Sequence, residues 1–376
     1  MDGWMIYGAN GFAGRLLAEE AVRRGWTPVL AGRSRSDILR LGQRLNLPVR
    51  VFDLDTPSGI ATHLRGVGLV LHCAGPLSAD PTAMLQGCMQ AGVHYLDLRG
   101  DIPFLEEVLD RRSRDIRSAG IVAIPGVGFE VAPTDCLAAL LHERQPDARF
   151  LRMGIQFAGG AVSRATASAF VATLARGGLV REGGRLLSVP ILQECLRLPF
   201  AATPSPAVAV PWGDLVSASY TTGIPNMRVY LGLPGITRTL VPWLKYARRM
   251  HSLVKYPLVQ NLVQRKLEQH MREPVPSLLR KGRVTLWGQV QGAGAATAMR
   301  MHTPDGYTMA VSCALEAVGR LHEALPPPGA YTPARALGSG FVSSLGGVRV
   351  EEIQPSFLEP CSAVSESEQP ARTTGS

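Results

Sequence analysis

The sequence predicts an α/β protein built on a doubly wound parallel sheet, with a second domain of different rhythm. Three observations carry this. Short apolar runs alternate with helix-like stretches over the first third of the chain, a glycine turn joins the first run to the first helix, and the alternation stops after Pro125. The 376 residues suffice for about two domains and a real core.

The expected strands of the first domain are 4–7, 28–31, 49–52, 68–72, 94–98 and 121–125. Helix-like stretches lie between them at 13–24, 37–45, 59–64, 83–91 and 103–118. Parallel neighbours need a crossover, normally helical and right-handed, which this spacing supplies. Beyond the sixth strand the sequence suggests a helix over 133–143, a strand over 150–157 and an Ala- and Thr-rich helix over 163–176. Residues 180–235, broken by Gly and Pro, read as strands and loops. Residues 283–291 and 296–302 suggest a hairpin around Gly292 and Gly294, followed by an apolar helix over 308–324 and a polar end that reads as disordered.

The strongest chemical signal is the turn Gly8-Ala9-Asn10-Gly11-Phe12-Ala13-Gly14. Glycines there let the backbone approach a pyrophosphate, and the following helix offers it free N–H groups and a positive dipole end. Position, strand and helix agree with a dinucleotide-binding Rossmann fold, with Gly8, Asn10, Gly11, Phe12 and Gly14 as binding residues. At the end of the second strand NAD binders usually carry an acid. This chain has Arg33-Ser34, suited to a 2′-phosphate, and NADP(H) is the expected cofactor. Asp53 ends the third strand, where it either holds adenine or caps the next helix. The fourth strand ends in His72-Cys73-Ala74-Gly75, and the small Ala74 and Gly75 allow close passage of the cofactor.

Tyr95, Asp97 and Asp101 at the carboxyl end of the fifth strand, and Glu130 and Asp135 after the sixth, are expected to line the mouth near the nicotinamide, and of these Tyr95, Asp97, Asp101 and Asp135 are candidate catalytic groups. Asp135 or Thr134 could instead cap the helix that begins there, and buried carboxylates more often anchor loops than transfer protons. Tyr95 and Tyr220 are candidate phenolic donors, with a core tyrosine as the competing reading. No HExxH motif or carboxylate cluster suggests a metal.

Composition bounds the rest. Apolar residues at 46% and charged residues at 18% exclude a disordered chain. No apolar run is long enough to suggest a spanning helix, and the first residues lead directly into a strand rather than a secretory signal, so a cytoplasmic location is expected. The six cysteines form no CxxC pair, and reduced, mostly buried thiols are expected. The net charge of +9 is concentrated in residues 236–283, with eleven basic and two acidic side chains among apolar and aromatic ones. This stretch suits an acidic carrier protein or an anionic membrane surface, or forms a solvated helical pair packed on the core. No nucleic-acid motif accompanies it.

The motifs MIYGANGFAGRLLAEEA, LAGRS, FDLD, LHCAGPL, GVHYLDLRGD and IPGVGFEVAPTDCLAALL occur in order, followed by AVPWGDLVSASYTTGIPNMRVYLGLP and TPDGYTMAVSCALEAV. Together they resemble the saccharopine dehydrogenase-like oxidoreductases, in particular the trans-acting enoyl reductase branch. The resemblance implies an NADP(H)-binding Rossmann domain (1–130), an inserted second α/β or α+β domain (131–304), a C-terminal return onto the first domain (305–360) and a tail (361–376). It also implies a homodimer through the second-domain sheet. Where the family has Glu after its hYxDl motif this chain has Asp101, and where it has GFD this chain has Gly128-Phe129-Glu130. The implied function is NADP(H)-dependent reduction of a C=C, C=N or C=O bond in an apolar or acyl-carrier-linked substrate. A saccharopine-type imine reductase and a non-catalytic NADP-binding scaffold at a membrane surface are the alternatives.

Overall fold

The computed structural model describes residues 3–74, 82–159, 177–191, 193–233 and 282–361. The expected helix at 163–176, Gly75, the basic stretch up to residue 281 and the chain after Cys361 lie outside them.

The first domain opens with β1 (Trp4–Tyr7), α1 (Phe12–Arg23), β2 (Val29–Gly32), α2 (Arg35–Leu45), β3 (Val49–Val51), α3 (Pro57–His63) and β4 (Leu69–His72). It continues with α4 (Thr82–Ala91), β5 (His94–Asp97), α5 (Ile102–Glu106), α6 (Ser113–Ser118), β6 (Val122–Ile124) and α7 (Ala132–Arg144). The helix expected over 103–118 is interrupted by a π turn at Glu107–Arg111. Helix α1 forms because Gly14, Leu17, Ala18 and Ala21 fall on one face at helical spacing and are buried together. Strands β1 and β4 are buried along their whole length, as a sheet covered on both faces requires, and are apolar but for His72 at the end of β4.

The second domain adds β7 (Phe150–Ala158), β8 (Gly178–Glu182), β9 (Arg185–Val189), β10 (Cys195–Leu198), β11 (Ser205–Ala209), α8 (Asp214–Thr222), β12 (Asn226–Gly232), β13 (Arg283–Gln291) and β14 (Ala296–Pro304). Then come α9 (Gly306–Glu323), β15 (Gly329–Ala330), α10 (Pro333–Leu337) and β16 (Arg349–Ile353).

All pairings in the first sheet are parallel, in the order β15-β6-β5-β4-β1-β2-β3. The order reverses between β1 and β4, which makes their carboxyl ends the switch point of the sheet. The second sheet is mixed, along the path β10-β11-β12-β7-β13-β14-β16. Its β13–β14 hairpin closes through residues 292–295, as the sequence suggests. The chain after residue 305 serves both sheets: β15 extends the first beside β6, whereas β16 pairs with β14 in the second.

Helix α7 joins the two sheets. It is buried on most sides, and one apolar core runs from Leu17 and Leu71 in the first domain through Leu137 and Leu141 of α7 to Met153, Val284 and Leu286 in the second sheet. Gly288 of β13 leaves room for Leu141, which a Cβ there would meet at 2.6 Å.

Two expectations are corrected. Residues 214–222, read as strand or loop, are helix α8, closed by Gly223 at φ 73°. Its small and β-branched residues hide the apolar periodicity, although the closing glycine is a legible stop signal. The thiols are also not all reduced: Cys195 and Cys361 form a disulfide with Cα atoms 5.3 Å apart, while Cys73, Cys88, Cys136 and Cys313 are free. Cys361 is therefore tied to the edge of the second sheet.

Candidate functional site

The glycine turn closes onto the switch point. Gly8 has φ 84°, a left-handed conformation that excludes most side chains, and a Cβ there would lie 2.5 Å from the backbone nitrogen of Ala74. Thus the end of β4 passes directly against the turn. Gly14 packs on Gly8 and Ala9 so closely that a Cβ would overlap the Gly8 carbonyl. Gly8 and Ala9 donate their N–H groups to the Ala31 carbonyl at 2.8 and 3.1 Å, fastening the turn to β2. Gly11 is the N-cap of α1, which has no side-chain cap and no acid in its first turn. An uncapped helix end free of negative charge, beside a crevice that only glycine permits, fits a pyrophosphate.

Around it, Asn10 lies over Gly32 at the end of β2, its Oδ1 3.0 Å from where a Gly32 Cβ would stand. Arg33 follows, exposed. The Ser34 hydroxyl, expected as a second donor to a 2′-phosphate, instead donates to Asp37 Oδ2 at 2.7 Å. Asp53 is exposed past the end of β3, and Thr56, not Asp53, caps α3 by accepting the Gly59 N–H. Phe12 meets the Tyr307 ring edge-on at 5.0 Å. Gly8, Asn10, Gly11, Phe12, Gly14 and Ala74 therefore gather at the switch point, with Arg33 and Ser34 at the neighbouring strand end.

The catalytic candidates converge only in part: Tyr95, Asp97 and Asp101 gather around the end of β5 near Glu130, whereas Asp135 and Tyr220 lie elsewhere. Tyr95 and Asp97 face the core rather than the mouth, each fully buried. The Tyr95 hydroxyl donates to Asp97 Oδ2 at 2.8 Å and stands 3.2 Å from His72 Nδ1. Asp97 Oδ1 accepts the N–H groups of Arg99 and Gly126, both at 2.9 Å. Burial pushes Asp97 up to about 6, against the lowering effect of those two bonds. Burial also takes His72 down to about 3, so it is neutral at physiological pH. This buried trio acts as a clamp: one carboxylate pins the loop after β5 and the loop after β6.

Asp135 and Thr134 do not cap α7, whose N-cap is Val131. Asp135 accepts from Thr221 Oγ1 at 2.6 Å and from the Ala334 N–H at 2.8 Å, joining α7, α8 and α10. Burial raises it to about 6. Tyr220 lies at the far edge of the first sheet, its hydroxyl 3.5 Å from the Ala330 carbonyl of β15 and its ring under the Arg335 guanidinium. Both positions hold the domains together away from the switch point.

What does reach the mouth is carried by the two clamped loops. Arg99 Nε pairs with Asp101 Oδ1 at 2.8 Å, and both side chains are about 10% exposed. Glu130 is half-buried, and its Oε2 accepts the Gly100 N–H at 3.0 Å. Burial pushes its carboxyl up to about 7, with a further rise from Asp101 and opposing effects from the Gly100 bond and Arg99. A turn of the second domain completes the wall: Trp212 Nε1 donates to the Glu130 carbonyl at 2.9 Å, and Gly213 presses on the Gly100 carbonyl where no Cβ fits. Arg99, Trp212 and Gly213 were not singled out from sequence, although all three lie within the family-like motifs. Phe129 packs against Phe157 of β7, ring centroids 5.6 Å apart, which gives the same wall an apolar flank. Among the described residues no cluster of His, Cys, Asp or Glu could hold a metal, and no helix is long and apolar enough to cross a membrane.

Fold and crevice together define a Rossmann-type dinucleotide-binding domain coupled to a mixed-sheet second domain. Residues 4–124 match the family model of the saccharopine dehydrogenase NADP binding domain, and the resemblance read from the motifs stands. A nicotinamide dinucleotide is accordingly the ligand class of this domain. A trans-acting enoyl reductase of Mycobacterium bovis is 31% identical over 149 residues, covering 37% of this chain and 35% of that protein. A saccharopine dehydrogenase-like oxidoreductase of Bos taurus is 26% identical over 150 residues, covering 35% of each. The matched stretch spans about a third of the length of these relatives. In fold, the chain is similar to apo saccharopine dehydrogenase (L-Glu forming) from Saccharomyces cerevisiae, with a TM-score of 0.63 at 11% identity over 94% of this chain and 100% of that one. It is also similar to homospermidine synthase from Legionella pneumophila, with a TM-score of 0.65 at 12% identity over 94% and 91% of the two chains.

Proposed function

We propose that the protein is an NADP(H)-dependent oxidoreductase that reduces a C=C, C=N or C=O bond of an apolar or acyl-carrier-linked substrate. The observation that carries this is the crevice of Gly8, Gly14 and Ala74 at the uncapped end of α1, with Arg33 at the next strand end. The bound dinucleotide supplies the hydride. The protein supplies everything else. Arg33 offers a guanidinium donor to a 2′-phosphate. The clamp at Asp97 sets the two loops that frame the reacting carbon. Glu130 sits at that frame with a carboxyl near neutrality, so a proton can leave it for the substrate at physiological pH. Phe129 and Phe157 favour an apolar substrate over a polyanionic one such as saccharopine. The basic stretch 236–283 supports encounter with an anionic carrier or thioester, an attraction that salt weakens.

The test is loss of NADPH absorbance with a panel of 2-enoyl thioesters of coenzyme A, ketones and imines, and, for saccharopine, which carries no bond for NADPH to reduce, gain of NADPH absorbance from NADP+. Turnover of the thioesters, falling at least about tenfold in Glu130→Gln, is the expected result. NADPH binding without turnover of any compound would remove the enzymatic reading and favour a dinucleotide-binding scaffold.

A further inference from the structure

Residues 354–361 run as a strap beyond β16 along the second sheet. Most of the strap is exposed, and Phe357 is 92% exposed. It has few anchors. The Gln289 side chain brackets Ser356, donating from Nε2 at 3.4 Å and accepting the Ser356 N–H at 3.2 Å. The Arg197 N–H donates to the Glu359 carbonyl at 2.9 Å, and the Cys361 N–H donates to the Cys195 carbonyl at 2.8 Å. Leu358 rests on the apolar group of Leu196, Leu198, Phe200, Tyr230 and Trp287. The remaining tie is covalent, the Cys195–Cys361 bond, enclosed by Val208 and Val210.

The other four cysteines do not compete for oxidation. Burial pushes the thiols of Cys73, Cys88, Cys136 and Cys313 well above their ordinary value, and none is bonded to another. Cys195 and Cys361 differ because the chain holds them opposite each other on neighbouring backbone segments, at a separation that suits a disulfide.

We propose that Cys195 and Cys361 are a reversible thiol–disulfide latch that decides whether the 354–361 strap stays on the second sheet. Closing the latch forms one S–S bond. The two thiols release two protons and two electrons to a disulfide oxidant such as oxidised glutathione, whose own S–S bond breaks to give two thiols. Opening is the reverse, driven by a thiol reductant. Once open, the strap keeps, among the described residues, the Gln289 bracket, two backbone bonds and Leu358, and local opening follows without unfolding of either sheet.

The test uses the full chain equilibrated in reduced or in oxidised glutathione. Alkylation after denaturation, read by intact mass, is expected to modify all six cysteines of the reduced protein and only the four free ones of the oxidised protein. Hydrogen exchange at the amides of Arg197, Ser356 and Cys361 is expected to be at least about tenfold faster in the reduced protein. Cys361→Ser is expected to show the fast rate in both buffers, while NADPH affinity stays the same throughout. Six modified cysteines in oxidised buffer, or equal exchange of the wild-type strap in the two buffers, would overturn the proposal even if the variant failed to fold.

Discussion

Replacing Gly8 by Ala tests the crevice at its narrowest point. Two costs follow from the geometry. The backbone stands at φ 84°, where an L-residue is disfavoured by roughly 1–2 kcal/mol. The new methyl would also stand 2.5 Å from the nitrogen and 2.6 Å from the Cα of Ala74, backbone atoms that cannot rotate away. Forcing a methyl into such a contact costs about 1–3 kcal/mol. Gly25 provides the control, because its φ is 77° but nothing lies within 4 Å of its Cβ position. Gly25→Ala is therefore expected to carry the conformational cost alone. Urea denaturation should show Gly8→Ala less stable than Gly25→Ala by about 1–3 kcal/mol. NADPH titration should show binding weakened at least about tenfold in Gly8→Ala and unchanged in Gly25→Ala, since 1.4 kcal/mol is a factor of ten. Equal stability of the two variants, with normal NADPH binding by Gly8→Ala, would refute the argument that contact between β4 and the turn shapes the cofactor site.

Two further perturbations probe the buried carboxylates. Asp97→Ala leaves the buried N–H groups of Arg99 and Gly126 without their acceptor, and a loss of about 2–6 kcal/mol in denaturant stability is expected, at roughly 1–3 kcal/mol per group. Asp214, fully buried and bonded to Thr134 Oγ1 at 2.6 Å, has its carboxyl held well above the ordinary range by burial, with Asp135 adding to the rise. A carboxyl raised in the folded state stabilises fully below its unfolded value, and this contribution is lost as pH rises through the folded value. Asp97 and Asp135, both raised to about 6, act in the same direction from about pH 4 upward. Denaturation between about pH 4 and pH 6 should therefore show wild-type stability falling through these groups, and Asp214→Asn should lessen that fall; a variant as steep as wild type would contradict the assignment.

The first domain was legible because its signals are local. Alternating apolar runs mark the strands, and the Gly8–Gly14 turn is a backbone requirement written directly into the sequence. The proposed cofactor residues follow from strand order, since a strand end in a parallel sheet has a defined place relative to the switch point. The wall around Glu130 was less legible because side-chain direction at a strand end depends on tertiary packing. Tyr95 and Asp97 stand on the strand expected to line the mouth, yet they point inward, where His72 and the N–H groups of Arg99 and Gly126 receive them. Trp212 and Gly213 reach Glu130 and Gly100 from more than 80 residues away, a juxtaposition that no spacing encodes. The Cys195–Cys361 pair, 166 residues apart, was hidden for the same reason.

The central claim is an NADP(H) site at the switch point with Arg33 as its phosphate-reading residue. Titration calorimetry of NADPH and NADH against the wild type and Arg33→Ala tests it most directly. The account predicts that NADPH binds the wild type more tightly than NADH, and that Arg33→Ala loses about 1.5–3 kcal/mol of NADPH binding, roughly 10- to 150-fold, while NADH binding is unchanged. Equal affinity for the two nucleotides in both proteins would contradict the role of Arg33, and binding of neither would contradict the site itself.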